Sequence, residues 1–363
     1  MSSTQVVHIE SISATTLEEA RPNTNLSPDK TRMIITADWH IRIRPDIPID
    51  WQVNRYRGLF NSILCTCIQQ EAYLVLAGDI LDRNRPSLQE LDLLMEFLSL
   101  ANKHIKQTYL ISGNHENLGQ GASTYDYLQA FLGKLENVQY NSSNEIFVPL
   151  ENDVDLYMVG HPAIAYSYNE VRKDKTNILV SHFRPTVNQF IQEEINVADF
   201  IKPYDLVVAG DIHMPLSLND GKLLYTNHPV NSCYEATPDC GFILLEANGS
   251  GFNVERIGCH TRSLISIKTT AADYEEPEVL EGNEDYYRIE VTGSPEELRK
   301  ITTDKWYIKL LKVPEVISEY AAEAEVSEIK CLSMEESLKA YMQSLQMDEE
   351  LIGKMMTVFN EVE

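Results

Sequence analysis

Cysteine is sparse and unpaired in this sequence. Six thiols lie scattered at positions 65, 67, 233, 240, 259 and 331 of 363 residues, none in a C-x-x-C pair. That excludes a thiolate zinc cluster and a disulfide framework as organising features, and the expectation is buried, inert thiols in a reducing cytoplasm. Long apolar runs are also missing. None approaches the ~18 residues of a membrane helix, so no membrane partner is expected. The first 30 residues have neither a basic start nor an apolar stretch. With Glu18, Glu19, Pro22, Pro28 and Asp29 they read as a flexible arm (residues 1–31) and not as a secretory signal.

Positive charge is scarce as well. Thirty Lys and Arg face 55 Asp and Glu, a net charge of -25, and there is no dense basic run. Phosphate neutralisation dominates nucleic-acid affinity, so a protein that grips DNA unaided carries a basic face. If DNA is the substrate here, bound metals or a partner must supply much of the positive potential. The acidity is concentrated late in the chain, with 23 acidic and nine basic side chains in residues 271–363.

Apolar residues are not scarce: at 43% they suffice for a buried core, and the length suggests about two domains. From residue 32 short apolar runs alternate with helical patterns. Residues 33–37, 73–77 and 108–112 read as strands. Between them, residues 56–68 place Leu59, Phe60, Ile63, Leu64 and Cys67 at helical spacing. Ser87 and Glu90 form a capping box ahead of Leu91, Leu94 and Leu98. This βαβαβ order implies an α/β fold with a mainly parallel sheet. After residue 140 strands dominate, at 156–160, 177–181, 205–209, 223–226, 241–246 and 252–257, which fits a sandwich of two sheets flanked by helices. Residues 262–284 turn polar and acidic and read as a linker or loop. A small α/β module follows, with strands at 286–291 and 306–313 around a helix at 294–300. Two short amphipathic helices close the chain, carrying Leu338, Tyr341, Met342 and Leu345, then Leu351, Ile352, Met355, Met356 and Phe359. They can pack on the chain's own body or dock another protein, since Met-rich faces suit groove binding.

Five segments sit where strands should end: Asp38-Trp39-His40, Gly78-Asp79-Ile80-Leu81-Asp82, Gly113-Asn114-His115-Glu116, Ser181-His182 and Gly210-Asp211-Ile212-His213. Carboxyl ends of strands in α/β sheets converge on one crevice, and the glycines permit sharp turns there. Each segment alone is weak. Together, in order, they hold four of the nine histidines. Asp oxygen and His nitrogen suit Mn²⁺, Fe²⁺ or Zn²⁺. A carboxylate shared by two cations holds them about 3.5–4 Å apart, close enough to generate a bridging hydroxide near neutral pH that attacks phosphorus in line.

The ordered set D-x-H, G-D-x-x-D, G-N-H-E, a lone His and a closing G-x-x-H resembles the calcineurin-like metallophosphoesterase superfamily. Within it the chain most resembles the SbcD-type DNA nuclease subunit, in a form a phage could encode. The resemblance is strong over residues 32–260. It implies a metallophosphoesterase β-sandwich flanked by helices (32–262), a small α/β capping module (263–325) and C-terminal helices (326–363). It also implies two divalent cations, Mn²⁺ with Mg²⁺ as the substitute. Asp38, His40 and His213 would hold the first cation and Asp79 would bridge; Asn114, His182 and Asp211 would hold the second. His115 would be no ligand but the general acid that protonates the leaving sugar oxygen. Glu116 would orient that imidazole, or else cap a helix or sit at the surface. One departure is clear: the family's closing motif is G-H-x-H, and its first His is Asp211 here.

Two residues stay open. Arg83 follows Asp82 as the phosphate-clamping arginine of serine/threonine phosphatases does, and is otherwise a solvated turn arginine. His228 lies where the nuclease family has a loop near the site, and either touches substrate or is an ordinary loop histidine. The resemblance further implies a homodimer through helices around 56–70 and 88–100. It implies docking of an SbcC-like coiled-coil ATPase through residues 333–363. The rival readings are a phosphomonoesterase or protein phosphatase with the same centre, and a non-enzymatic scaffold. Residues 265–363 disfavour the first, since a simple phosphatase does not need them. The retained His115 and near-complete ligand set disfavour the second.

Overall fold

The computed structural model describes residues 16–143, 145–161, 171–184, 197–230, 240–259, 261–275, 285–301 and 308–312. In chain order the first elements are β1 (Thr31–Thr36), α1 (Ile49–Gln70), β2 (Tyr73–Ala77), α2 (Leu88–His104) and β3 (Thr108–Ile111). A small hairpin, β4 (Asn117–Gly119) and β5 (Ala122–Ser123), precedes α3 (Gln129–Leu132), β6 (Val138–Tyr140), β7 (Glu145–Pro149), β8 (Val154–Val159) and β9 (Thr176–His182). Then come α4 (Val197–Ile201), β10 (Leu206–Gly210), β11 (Ser217–Leu218), β12 (Leu223–Tyr225), β13 (Gly241–Asn248) and β14 (Gly251–Gly258). The last described are β15 (Leu264–Thr270), β16 (Tyr286–Gly293), α5 (Pro295–Leu298) and β17 (Ile308–Lys312).

Two six-stranded sheets result, in the orders β14-β13-β1-β2-β3-β6 and β11-β12-β10-β9-β8-β7. The centre of each is parallel (β1-β2-β3-β6 and β8-β9-β10-β12), and antiparallel strands β13 and β7 pair against β1 and β8. Period-two alternation decides the layers. Met33, Ile35, Val75 and Ala77 face inward and pack on Leu156, Met158, Ile178, Val180 and Val208 of the other sheet. Their neighbours Ile34, Leu74 and Leu76 face outward onto Leu59, Phe60 and Ile63 of α1 and Leu94 and Phe97 of α2. The second sheet's outer face, with Tyr157, Leu179 and Val207, is covered by Phe183, Phe200 and Tyr204. Both faces of the parallel strands are therefore buried, as near-continuous apolar runs require. Each such side chain contributes about 1.5–3 kcal/mol. The helix expected after Ser87 forms, with the capping box in place between Ser87 and Glu90.

The expected linker over 262–284 is corrected in part. Residues Leu264–Thr270 form β15, which pairs parallel with β16 from Leu264↔Tyr286 to Thr270↔Thr292. It is an edge strand of the small β15-β16-β17 sheet, so its exposed polar residues mask the alternation that marks a buried strand. Leu264 and Tyr286 pack on Ile47 and Trp51 beside the start of α1.

The chain divides into two compact units, Met1–Leu311 and Lys312–Glu363. The helices expected over 333–363, and most of the N-terminal arm, lie outside the described residues. Among the described residues no helix is long and apolar enough to cross a membrane.

Candidate dinuclear metal centre

Five strands deliver the site. Asp38 and His40 follow β1, Asp79 follows β2, Asn114 and His115 follow β3, His182 ends β9, and Asp211 and His213 follow β10. Three of these strands belong to one sheet and two to the other, so their C-terminal ends meet across the top of the sandwich. Sharp left-handed turns aim the side chains: φ is +57° at Asp38, +45° at His40, +51° at Asp79 and +91° at Asp211. Asp tolerates this region better than most residues, but four such positions in one crevice are a strain that clusters at functional sites. Glycine makes the approach possible. A Cβ on Gly113 would lie 2.1 Å from Asp79 Oδ1, and one on Gly78 2.6 Å from His182 Nδ1.

Asp38, His40 and His213 bring one ligand atom each within 4.8 Å of one another, and so do Asp38, Asp79 and His182. The Nε2 atoms of His40 and His213 are 3.0 Å apart. Burial holds both imidazoles below the ordinary histidine range, His40 at about 3, in the neutral form that ligates. Without a cation the two Nε2 atoms share one hydrogen bond; two neutral imidazoles so placed can turn both nitrogens to a shared cation. His40 Nδ1 is buried without a hydrogen-bond partner and lies 3.6 Å from Asp82 Oδ1. At that distance the carboxylate acts on the imidazole through its charge and not through a hydrogen bond. His40, Asp82 and His115 also form a third cluster of donors.

The second group is tighter. His182 is almost fully buried, and its Nδ1 sits 2.8 Å from the Ala77 carbonyl, to which it donates. Nε2 is thereby left facing Asp79 Oδ2 at 3.3 Å and Asn114 Oδ1 at 3.0 Å. The Asn114 carboxamide has its oxygen among acceptors. Turned over, its nitrogen would reach Asp79 Oδ2 and Asp211 Oδ1 at 3.2 Å and His182 Nε2 at 3.0 Å. Carboxylate oxygens, an imidazole nitrogen and a carboxamide that can present its oxygen to them make a donor set that fits a second metal. Asp79 Oδ2 also lies 3.9 Å from His40 Nε2 and so faces both groups.

Asp211 is the departure, and the structure places Arg184 beside it. The guanidinium makes a two-pronged pair, Nε to Oδ2 at 2.7 Å and Nη2 to Oδ1 at 2.9 Å. Asp211 Oδ1 thus stands between Arg184 and the Asn114 amide, while its backbone N–H donates to Asp38 Oδ1 at 3.0 Å. A third carboxylate adds negative charge that a histidine would not, and Arg184 offsets it.

His115 stays at the mouth, 39% exposed, with Nε2 3.9 Å from Asp79 Oδ2. Its Nδ1 donates to the Asp82 carbonyl at 2.6 Å. Burial lowers its pKa, but the Asp79 charge, that hydrogen bond and Asp82 outweigh burial and raise it above the ordinary value. Glu116 neither touches this imidazole nor lies at the surface. It is fully buried and accepts from Asp79 N, Leu81 N, Gly113 N and the Tyr125 hydroxyl. Arg83 is paired through two nitrogens with Glu90, which also accepts from Ile43 N and Ser87 N. His228 is buried behind His213 and donates from Nδ1 to the His213 carbonyl at 2.8 Å. Sequence reasoning gave no role to Arg184, 27 residues from its partner, or to Asp82 as a support for His40. The second Asp of G-D-x-x-D was the available signal for the latter.

The chain is 26% identical over 288 residues to the protein named Probable exonuclease subunit 1 of Escherichia phage T5, covering 74% of this chain and 81% of that one. Among solved structures it is similar to GAP50, the anchor in the inner membrane complex of Plasmodium (TM-score 0.42, 11% identity, 79% of this chain and 98% of that one). It is also similar to the phosphopantetheinyl hydrolase of Mycobacterium tuberculosis (TM-score 0.33, 13% identity, 55% of this chain and 89% of that one). The family model of the calcineurin-like phosphoesterases matches residues 31–215. That stretch is half the chain and contains every residue of the two donor groups, so the chain belongs to the calcineurin-like phosphoesterase family.

Proposed function

We propose that this chain is a two-metal phosphodiesterase that cuts DNA, a nuclease subunit serving recombination, repair or replication. The observation that carries the hydrolytic part is the pair of donor groups sharing Asp38, with Asp79 facing both and His115 beside them. The nuclease part is supported by the likeness to a phage exonuclease subunit. Asp38, His40 and His213 would hold one cation, Asn114, His182 and Asp211 the other, and Asp79 both. Two divalent cations, Mn²⁺ or Mg²⁺, would supply charge neutralisation at the phosphoryl oxygens and a more acidic water. The chain's own proton comes from His115: with Nδ1 tied to the Asp82 carbonyl, Nε2 carries the transferable proton to the leaving sugar oxygen.

The test uses the leaving group. His115→Ala is expected to slow Mn²⁺-dependent cleavage of linear duplex DNA by about 10²–10⁴-fold. Hydrolysis of bis(p-nitrophenyl) phosphate, whose leaving group departs as a stable anion, should fall far less. Equal losses on the two substrates would remove the general acid. Wild-type protein that turns over p-nitrophenyl phosphate but not DNA would make the chain a phosphomonoesterase.

Arg184 and Asp211 supply a second test. Removing the guanidinium frees a carboxylate at the second site and deletes a like charge near the cation. Arg184 is 42% exposed, so screening limits the gain to about tenfold, ~1.4 kcal/mol. Titration calorimetry with Mn²⁺ should show Arg184→Ala binding the second cation tighter and Asp211→Ala binding it weaker. Unchanged affinity in both variants would take Asp211 out of the ligand set.

An SbcC-like coiled-coil ATPase docking on residues 333–363, and a homodimer through α1 and α2, complete the reading. The word "subunit" in the phage relative's name supports a partner, and so does a net charge of -25 on a chain that must meet DNA.

A further inference from the structure

Beside the metal centre a cavity of about 240 Å³ opens between the turn after β1 and the start of α1. It shares two walls with the centre, His40 and Asp82. Its remaining polar lining is arginine-rich: three guanidiniums, from Arg42, Arg44 and Arg55, stand against the single carboxylate of Asp82, and the Trp51 indole forms part of the wall. In a chain with 30 basic residues against 55 acidic ones, this is a local inversion of sign next to the atoms proposed to do the chemistry.

The groups differ in mobility. Arg55 is buried, donates from Nε to the Arg262 carbonyl at 2.7 Å and lies 5.6 Å over the Trp51 ring, so it is a fixed charge. Arg42 is 55% exposed and meets Asp82 at 3.1 Å; Arg44 meets Asp46, itself 53% exposed, at 3.3 Å. In each pair one partner is open to solvent and the other part-buried, Asp82 at 20% and Arg44 at 28%; a phosphate, bound by arginine through two parallel hydrogen bonds, can compete for both guanidiniums. The volume corresponds to about eight waters at ~30 Å³ each. That takes a phosphate with part of its sugar, the rest of the nucleotide lying at the open mouth, and is far too small for a duplex.

We propose that this cavity is a nucleotide subsite adjoining the scissile phosphate of a single DNA strand. Arg42 and Arg44 hold the neighbouring backbone phosphate, and Trp51 lies along the sugar or base. Stacking on an aromatic side chain is tolerant of sequence, which suits an enzyme that moves along a strand. The inference rests on the nuclease reading above and names how that substrate is held.

The experiment is equilibrium binding of a fluorescein-labelled single-stranded oligonucleotide to the full chain, by anisotropy across a KCl series, with Ca²⁺ present to suppress cleavage. Arg42→Gln/Arg44→Gln is expected to bind at least tenfold more weakly. Its slope of log K against log[KCl] should be smaller by about 1.4, roughly 0.7 for each lost phosphate contact on a single strand. Mn²⁺ affinity of the double variant, read by calorimetry, should be no weaker than the wild type's, since the change deletes two like charges beside His40 and Asp82 and no donor of the centre. Trp51→Ala should weaken binding with the salt slope unchanged. An unaltered slope in the arginine variant, or Mn²⁺ binding that falls in step with DNA binding, overturns the subsite. Wild-type protein that cleaves the strand while the double variant binds it equally well overturns the subsite alone. Wild-type protein that neither binds nor cleaves the strand overturns the subsite, and the nuclease reading falls with it only if linear duplex DNA is not cleaved either.

Discussion

Asp79→Asn is expected to cut phosphodiesterase activity by at least about 10³-fold, roughly 4 kcal/mol of transition-state stabilisation, and to lower the Mn²⁺ stoichiometry from two to one or less. The substitution keeps size and tolerates the left-handed backbone at φ +51°, so it removes charge with little else. Asp79 is almost completely buried. Its Oδ1 accepts from His115 N at 2.9 Å, which leaves Oδ2 to face His182 at 3.3 Å and His40 at 3.9 Å. Among the described residues no other carboxylate oxygen lies within 4 Å of an imidazole from both sets. The same carboxylate governs a proton. Burial opposes charge on His182, but the charge and hydrogen bond of Asp79, with the charges of Asp38 and Asp211, together outweigh it and raise that pKa to about 10. The metal-free imidazole is therefore protonated at neutral pH, and a cation must displace the proton. Cation affinity should rise with pH through the neutral range, and calorimetry in buffers of different ionisation enthalpy should report proton release. Asp79→Asn should reduce that release at the second site, leaving only the pull of Asp38 and Asp211 on the His182 proton. A variant that still binds two Mn²⁺ with wild-type affinity would remove the bridge.

Much of this centre is legible in the residues because its geometry is local. Asp, Asn and Gly are the residues that turn sharply at strand ends, so Asp38, Asp79, Asn114 and Asp211 announce both the turn and the donor. The continuous apolar runs at residues 33–35 and 73–77 likewise announce strands buried on both faces. What is not legible is tertiary. Arg184 reaches Asp211 only because β9 and β10 lie side by side in register, His182 opposite Gly210. His228 supports the His213 backbone because β12 runs beside β10 and carries the chain back to it. Arg83 reads equally well as a phosphate clamp until Glu90, one helical turn into α2, is seen to hold it. Arg42, Arg44 and Arg55 are too dispersed to count as a basic run, and become one feature only when α1 folds against the turn after β1. Strand β15 is hidden for the opposite reason: its exposed edge keeps a polar composition that resembles a loop.

Glu116 is the residue whose sequence context misleads most, and its removal should be the costliest single change outside the ligands. It follows the catalytic-looking Asn114-His115 pair, yet its carboxylate points away into the core. Oε2 accepts from Asp79 N at 3.0 Å and Gly113 N at 2.8 Å, while Oε1 accepts from Leu81 N and the Tyr125 hydroxyl, both at 2.8 Å. One side chain thus ties the loop after β2 to the loop after β3 and holds Asp79 in its left-handed turn. Glu116→Ala would strand three buried N–H groups and a hydroxyl, each unsatisfied donor costing about 1–3 kcal/mol. Partial relaxation and water entry reduce the sum to the 3–5 kcal/mol seen when one partner of a buried charged network is removed. At about 2–4 °C per kcal/mol for a domain of 150–250 residues, the thermal midpoint should fall by roughly 6–20 °C. Glu116→Gln separates charge from volume. Its amide nitrogen must point at backbone or hydroxyl donors whichever way it turns, so it should lose nearly as much stability as the alanine. Both variants should also bind Mn²⁺ more weakly, although neither touches a cation, because the Asp79 turn is no longer held. Glu116→Gln melting within 2 °C of the wild type would mean that shape, not hydrogen bonding, holds the two loops together.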